Sequence, residues 1–273
     1  MMSVTDFNNK VAAITGAGSG MGQSLAVMLA RAGCHVAISD VNAEGLEETR
    51  TILNQIVKAS VHVVDVANRE QMEAFAASVN AEHGKVNMIF NNAGVSVTGL
   101  AEQMPYEDIE WLMNINFWGV VYGCKSFLPY LREANEAAII NTSSIFGTIA
   151  VPSQSAYNAS KFAVKGYTYA LRQELIDSHI GVSCVQPGGV KTNIVNSSRF
   201  IPMDNESATK EDLVETFSRL ARKSPEQAAA IILDGVLKNK ARILVGGDAK
   251  IASWIERLAP TAYLKLLSMN ITD

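Results

Sequence analysis

Val11-Ala12-Ala13-Ile14-Thr15-Gly16-Ala17-Gly18-Ser19-Gly20-Met21-Gly22 is the stretch that decides the fold. A short apolar run ends in a cluster of glycines, and behind it Met21–Ala32 repeats Leu25, Leu29 and Ala32 at helical spacing. A strand, a glycine turn and a helix in that order aim backbone N–H groups at whatever lies beyond the strand. Glycines permit the tight turn and the close approach, and the helix N-terminus favours an anion such as a pyrophosphate. The spacing is not G-x-G-x-x-G, because Met21 stands where the third glycine would fall. It fits Thr-Gly-x-x-x-Gly-x-Gly through Thr15, Gly16, Gly20 and Gly22.

Outward from that loop the same rhythm repeats. Short apolar runs at His35–Ser39, Val61–Val64, Val86–Phe90, Ala137–Thr142, Gly181–Gln186 and Ala241–Val245 alternate with helical segments at Glu44–Val57, Gln71–His83, Tyr106–Leu131, Ala156–Ser178 and Pro225–Lys238. With the first strand and helix, that gives seven strands and six helical segments. Alternation predicts an α/β fold: a doubly wound parallel sheet with helices on both faces and right-handed crossovers. Runs such as Ile139-Ile140 and Ile243–Val245 are apolar on both faces, as a sheet covered on both sides requires. No linker or repeat divides the 273 residues, so a single dinucleotide-binding domain of the Rossmann type is expected over 1–273. The longest break in the rhythm, about 193–222, falls where a substrate lid would sit, and an apolar helical tail follows at about 249–270.

Composition excludes several classes. Lys and Arg number 23 against 27 Asp and Glu, a formal net charge of −4, and 48% of residues are hydrophobic. That is too apolar for intrinsic disorder and lacks the basic footprint of a nucleic-acid binder. Cys34, Cys124 and Cys184 are odd in number and far apart, without metal-ligand spacing to each other or to a histidine. Buried free thiols are expected, with no metal site. The N-terminus lacks the features of a signal peptide, and no apolar run reaches the ~18 residues of a membrane span. A soluble, cytoplasmic protein is expected.

The acidic partner of the glycine loop is Asp40, 18 residues beyond Gly22 and at the end of the second strand. A carboxylate there accepts hydrogen bonds from the ribose hydroxyls of NAD and repels the 2′-phosphate of NADP. Neither Ser19 in the loop nor Val41 after the aspartate offers a compensating cation, so NAD is the expected cofactor. The alternative for Asp40 is a helix N-cap.

Tyr157 and Lys161 stand at i, i+4, neighbours on one helix face. A free phenol titrates near 10 and is a poor base at neutral pH, but a nearby ammonium and the positive ring of an oxidised nicotinamide favour the phenolate. Ser144 precedes Tyr157 by 13 residues, just after a strand. Asp65-Val66, Asn91-Asn92-Ala93-Gly94 and Pro187-Gly188-Gly189-Val190-Lys191-Thr192 also stand at strand C-terminal ends, and Asn116 lies within a helical stretch. In an open α/β sheet that edge is the ligand crevice.

These ordered motifs resemble the short-chain dehydrogenase/reductases, in the branch of about 250 residues with Tyr-x-x-x-Lys. The resemblance is strong over residues 8–192 and topological over 225–247. It implies that Tyr157 is the general acid/base, that Lys161 lowers its pKa and binds the nicotinamide ribose, and that Ser144 holds the substrate oxygen. Asn116 would hold a water in a proton relay. The cofactor would contact Gly16, Ser19, Gly20, Met21, Gly22, Asp40, Val41, Asp65, Val66, Asn92, Ala93 and Gly94. Tyr157, Lys161, Pro187, Gly188, Val190 and Thr192 would complete its site. The 13-residue offset selects Ser144 over Ser143, whose hydroxyl reads as a backbone cap. A homo-oligomer, dimer or tetramer, is expected from the resemblance alone.

Phe146, Val151, Gln154, Gly189 and the lid residues Ile194, Val195, Phe200 and Met203 suggest an apolar pocket. Arg199 is a candidate for an anionic substrate group or a solvated surface residue. The expected substrate is a hydrophobic secondary alcohol or its ketone, alicyclic, aromatic or steroid-like. A non-catalytic nucleotide-binding regulator and an NADP-preferring carbonyl reductase are the alternatives. The tail, with Ile251, Trp254, Ile255, Leu258, Tyr263, Leu264 and Leu267, is expected to pack on the core or on a neighbouring subunit.

Overall fold

The computed structural model describes residues 3–57, 59–202 and 209–264. The first half runs β1 (Val11–Thr15), α1 (Gly20–Arg31), β2 (His35–Asp40), α2 (Ala43–Leu53), β3 (Ser60–Val63), α3 (Arg69–His83), β4 (Met88–Asn91), β5 (Val97–Thr98), α4 (Tyr106–Met113) and α5 (Gly119–Glu133). The second half runs β6 (Ala137–Thr142), α6 (Ser155–Glu174), β7 (Ile180–Pro187), β8 (Arg199–Phe200), α7 (Lys210–Leu220), α8 (Pro225–Leu237), β9 (Arg242–Val245) and α9 (Gly247–Leu258). Seven strands form one parallel sheet in the order β3-β2-β1-β4-β6-β7-β9. The chain winds outward from β1 to β3, returns to the other side of β1 and winds outward again. The reversal between β1 and β4 leaves a crevice beyond the strand ends.

Alternation along the strands explains the two packed layers. Ala12 and Ile14 of β1, with Met88 and Phe90 of β4, face a core shared with Leu25 and Leu29 of α1 and Ile232 and Val236 of α8. Val11, Ala13 and Ile89 point the other way, onto Met72 and Phe75 of α3, Phe127 of α5 and Val164 of α6. Every residue of β1, β4, β6 and β7 is buried, as expected for central strands covered on both faces. The three cysteines are buried free thiols, and burial pushes each up to about 12.

Several elements lie beyond the sequence reading. The stretch Tyr106–Leu131 is helical throughout but carries a π-helical turn at Asn114–Trp118 between α4 and α5. Apolar periodicity carries across such a turn, so the insertion is invisible in the pattern. β5 and β8, two residues each, pair in parallel outside the main sheet. Helix α7 lies inside the 193–222 break and is amphipathic but has no buried residue. In the tail, α9 buries Ala249 and Ser253, whereas Ile251, Trp254 and Leu258 are exposed, so among the described residues the apolar stripe is not packed on the core. Tyr263 reaches back, its hydroxyl accepting from the Ala150 N–H at 3.1 Å. Leu267 lies outside the described residues. No described helix is long and apolar enough to cross a membrane.

A buried polar chain joins the two halves of the sheet: Asn91 Nδ2 donates to Asn141 Oδ1 at 2.8 Å, and Asn141 Nδ2 to Thr168 at 3.1 Å. Gly123 of α5 packs so closely on Asn91 that a Cβ there would overlap its side-chain oxygen. Gly123→Ala is therefore expected to destabilise the fold by about 1–3 kcal/mol, the usual cost of overpacking, read as a lowered Tm in scanning calorimetry.

Candidate active site

The glycine loop is held by its neighbours across the β1–β4 switch point. Thr15 Oγ1 accepts from the N–H groups of Asn92 at 3.0 Å and Ala93 at 3.1 Å, and Asn92 Nδ2 donates to the carbonyls of Thr15 and Gly16. Gly16 has φ +67°, and a Cβ on it would lie 2.7 Å from Ala93 Cα, so the position requires glycine. Ser19 is the N-cap of α1 but makes no side-chain cap, and the first turn carries no acidic residue. The helix therefore presents uncapped N–H groups to the cleft, as an anion-binding terminus does.

That cleft, about 330 Å³, is lined by Gly16, Ser19, Gly20, Met21, Asp40, Val41, Asp65, Val66, Asn92, Ala93, Gly94 and Thr192 of the expected residues. Gly22 is buried behind the loop, packed against the Gly16 carbonyl. No lysine, arginine or histidine lines the cleft among the described residues. Asp40 is not a helix N-cap: Asn42 caps α2, accepting from the N–H groups of Glu44 and Gly45. Asp40 Oδ2 instead accepts from Gly18 N–H at 2.9 Å and Oδ1 from Asn42 N–H at 3.0 Å, which fixes the carboxylate at the cleft wall. Asn193, Ile194 and Ser197 also line the cleft, and no motif in the sequence marked them for it. A glycine cradle, an uncapped helix terminus and a carboxylate facing one groove fit a dinucleotide.

A second cavity, about 410 Å³, adjoins the first and shares Met21, Asn92, Gly94, Thr192 and Ile194 with it. Ser144, Tyr157, Lys161, Pro187, Gly188 and Val190 line it. Tyr157 and Lys161 project from the first two turns of α6, with Lys161 Nζ 5.6 Å from the centre of the tyrosine ring. Ser144 lines the cavity with the phenol, its Oγ accepting from Phe146 N–H at 3.1 Å, and Phe146 meets the tyrosine ring edge-on with centroids 6.1 Å apart. The Ser143 hydroxyl is engaged elsewhere, donating to the Lys161 carbonyl at 2.7 Å.

The electrostatics differ from the sequence expectation. Burial pushes the Tyr157 phenol up to about 12, with the Ser144 hydroxyl opposing it, and pushes Lys161 down to about 8. Both shifts have the same cause, since a water-poor cleft disfavours the charged form of either group. Lys161 is 3% exposed and donates to the Thr142 carbonyl at 3.1 Å.

Asn116 lies in the π-helical turn. Its Oδ1 accepts from Val95 N–H at 2.8 Å, its Nδ2 donates to Val95 O at 2.9 Å, and Nδ2 also reaches Ser160 at 3.2 Å. Ser160, unremarked in the sequence, donates in turn to the Tyr157 carbonyl at 2.8 Å. Asn116 thus ties the Gly94-Val95 segment to α6.

Of the expected substrate-pocket residues, Phe146, Gln154, Gly189, Ile194 and Val195 line the second cavity, joined by Leu213, Phe217 and Leu220 of α7. Val151 and Phe200 do not line it. Met203 lies outside the described residues. Arg199 is not free for a substrate: its guanidinium pairs with Asp108 at 2.5 Å and stacks 3.7 Å over the Trp111 ring.

Residues 10–200 match the family model described as short chain dehydrogenase. A protein of Mycobacterium tuberculosis that carries the name oxidoreductase SadH is 41% identical over 273 residues, covering 98% of this chain and 97% of its own. A cyclohexanol dehydrogenase of Acinetobacter sp. (strain SE19) is 36% identical over 194 residues, covering 69% of this chain and 76% of its own. A short-chain dehydrogenase/reductase of Burkholderia phymatum, solved with NAD, superposes with TM-score 0.83 at 30% identity, over 93% of this chain and 95% of that one. An alcohol dehydrogenase of Thermococcus sibiricus, complexed with 5-hydroxy-NADP, gives 0.72 at 25% identity, over 87% and 94%. The chain belongs to the short-chain dehydrogenase/reductase family. It is an oxidoreductase of the kind that acts on CH–OH or carbonyl groups, and its structural neighbours include proteins bound to NAD and to an NADP derivative.

Asn116→Ala would leave the Val95 N–H and carbonyl without their partner. It is expected to cost about 1–3 kcal/mol of stability, read as a lower urea midpoint at unchanged m-value.

Proposed function

We propose that the protein is an NAD-dependent dehydrogenase or reductase acting on a hydrophobic secondary alcohol or its ketone, with Tyr157 as general acid/base. The observation that carries this reading is the convergence of Ser144, Tyr157 and Lys161 on one cavity that opens into the dinucleotide-shaped cleft.

The nicotinamide group supplies a hydride acceptor in one direction and a donor in the other. The rest belongs to this chain. Uncapped N–H groups of α1 would bind the pyrophosphate, Asp40 the adenosine ribose hydroxyls, and Asp65-Val66 the adenine side. Asn92 to Gly94 would line the middle, and Pro187, Gly188, Val190 and Thr192 the carboxamide end. Ser144 would hold the substrate oxygen beside the phenol. For oxidation Tyr157 takes the hydroxyl proton, and for reduction it returns one to the developing alkoxide. Because burial holds the phenol near 12, positive charge must be brought beside it before it serves as a base at ordinary pH. Lys161 supplies part of that charge, and a buried lysine near 8 also exchanges protons readily. Asn116 holds the Gly94-Val95 wall against α6, a positioning role alongside any relay.

NAD over NADP is supported by the carboxylate of Asp40 and by the lack of a cationic side chain among the described cleft residues. The hydrophobic substrate class is supported by Phe146, Val195, Leu213 and Phe217 around the second cavity, and by the similarity to a cyclohexanol dehydrogenase. Segment 193–222 is proposed as the lid. β8 pairs with β5 and Arg199 is clamped on α4, which fixes its near end, while the amphipathic α7 supplies apolar side chains to the cavity. A homo-oligomer is also proposed, consistent with Trp118 of the π-helical turn and Phe162 of α6 standing exposed.

The reading is tested by following reduced-nicotinamide absorbance with a panel of cyclic and aromatic secondary alcohols, each with NAD and with NADP. Turnover with NAD is expected, falling by about 10²–10⁴-fold in Tyr157→Phe. Near-full activity of that variant would refute the mechanism. Oxidation is expected to speed up as pH rises, because the base form of the phenol is the active one, and reduction to slow over the same range. Lys161→Ala should move the alkaline limb upward by about one pH unit or more, since a cation that favours the phenolate is gone. In Asp40→Asn, which keeps an acceptor for Gly18, the NADP-to-NAD efficiency ratio should rise on the order of tenfold, as removal of one like-charge repulsion implies.

A further inference from the structure

The substrate cavity contains a carboxylate that the reaction does not use. Asp248 stands in the first turn of α9 and lines the cavity together with Pro187, Gly188 and Gly189. Its Oδ2 accepts from the Gly189 N–H at 2.6 Å. The seat is specific to its surroundings: a Cβ on Gly188 would overlap the Asp248 carboxylate, and one on Gly246, at φ +108°, would meet its Oδ1. Glycine at both positions is what lets the carboxylate rest on the turn after β7. That hydrogen bond is the only one Asp248 makes among the described residues, and it forms no ion pair among them. The other charged side chain on the cavity wall, Lys161, is buried with its nitrogen on the Thr142 carbonyl. Arg199, which would have offset a negative charge at the lid, is held by Asp108 and Trp111. The rest of the lining is uncharged.

We propose that Asp248 is a specificity-determining residue: held on Gly189, its carboxylate selects hydrophobic ketones or alcohols that carry a cationic ammonium group and disfavours those that carry a carboxylate or phosphate. The inference rests on the oxidoreductase reading above and narrows its substrate class. An unpaired carboxylate on the cavity wall interacts at close range with a charge on a bound substrate, so the sign of that charge matters to binding. The effect stays sensitive to salt, because Asp248 is itself exposed.

The test uses the whole chain and three cyclohexanones bearing tert-butyl, trimethylammonium or carboxylate at C4. The first two have nearly the same shape and differ in charge. Relative kcat/KM for reduction with NADH is measured at low salt and at 0.5 M NaCl, normalised to the tert-butyl ketone. The wild-type protein is expected to prefer the ammonium ketone over the carboxylate by about tenfold or more, of the order expected for one charge at a partly exposed site. That preference should shrink at high salt and fall to within about threefold in Asp248→Asn, which keeps an acceptor for the Gly189 N–H. A wild-type ratio near unity, a preference unaffected by salt, or one unchanged in Asp248→Asn overturns the proposal. Should none of the ketones be reduced, the oxidoreductase reading fails for this class, and the same three ratios are then taken from dissociation constants in titration calorimetry. A preference for the ammonium compound there upholds the charge selection on its own, and failure of all three to bind overturns it.

Discussion

The stitching of β1 to the loop after β4 is the constraint from which the rest of the site follows. Thr15 uses one hydroxyl oxygen to accept two backbone N–H groups, and Asn92 returns its amide to the Thr15 and Gly16 carbonyls. At a switch point the strands diverge and would leave backbone groups without ladder partners, a cost of roughly 1–3 kcal/mol for each buried group left unpaired. These two side chains meet that cost, and in doing so they hold the crevice open at a fixed width. The glycine loop can then approach Asn92 and Ala93 closely on one side while Asp40 fixes Gly18 on the other. The shape of the cleft is thus a consequence of backbone satisfaction.

A second chain of dependence runs through α6. Tyr157 and Lys161 share a helix face by periodicity, but their placement relative to the crevice is set by contacts from outside the helix. Ser143 holds the Lys161 carbonyl from the end of β6, and Asn116 reaches Ser160, which bonds the Tyr157 carbonyl. The π-helical turn explains how Asn116 does this. An inserted residue rotates the helix locally, so a polar side chain meets Val95 and Ser160 while Leu112 before it and Val120 after it stay on buried faces. Gly94 adds a steric condition, since a Cβ there would lie 3.2 Å from Asn116 Oδ1 and 3.3 Å from Lys161 Nζ.

Much of this was legible in the sequence because it rests on local, periodic signals. Seven parallel strands, the helix after the glycine loop, and the clustering of Asp40, Asn92, Ser144, Tyr157 and Lys161 at one sheet edge all follow from pattern and topology. What was not legible depends on pairings between distant residues. The two-residue strands β5 and β8 lie about a hundred residues apart and carry no alternation of their own. Arg199 reads as a free cation until Asp108 and Trp111 are seen beside it. Asp248 looks like an ordinary acidic residue in a first helical turn, and only its contacts with Gly188, Gly189 and Gly246 reveal that its side chain rests on the turn after β7.

The titration of Tyr157 and Lys161 departs from local expectation for a physical reason that bears on the proposed chemistry. An i, i+4 lysine suggests a lowered phenol pKa, yet here burial dominates and moves both groups toward neutrality. A cleft dry enough for the proposed apolar substrate cannot also solvate a phenolate, so the two requirements conflict. The conflict is resolved if the base is activated only when further positive charge and substrate arrive together. Proton removal is then coupled to an assembled site, and the tyrosine stays protonated otherwise. The lysine's own charge is easily lost for the same reason, since its buried nitrogen rests on the neutral Thr142 carbonyl and has no carboxylate beside it among the described residues.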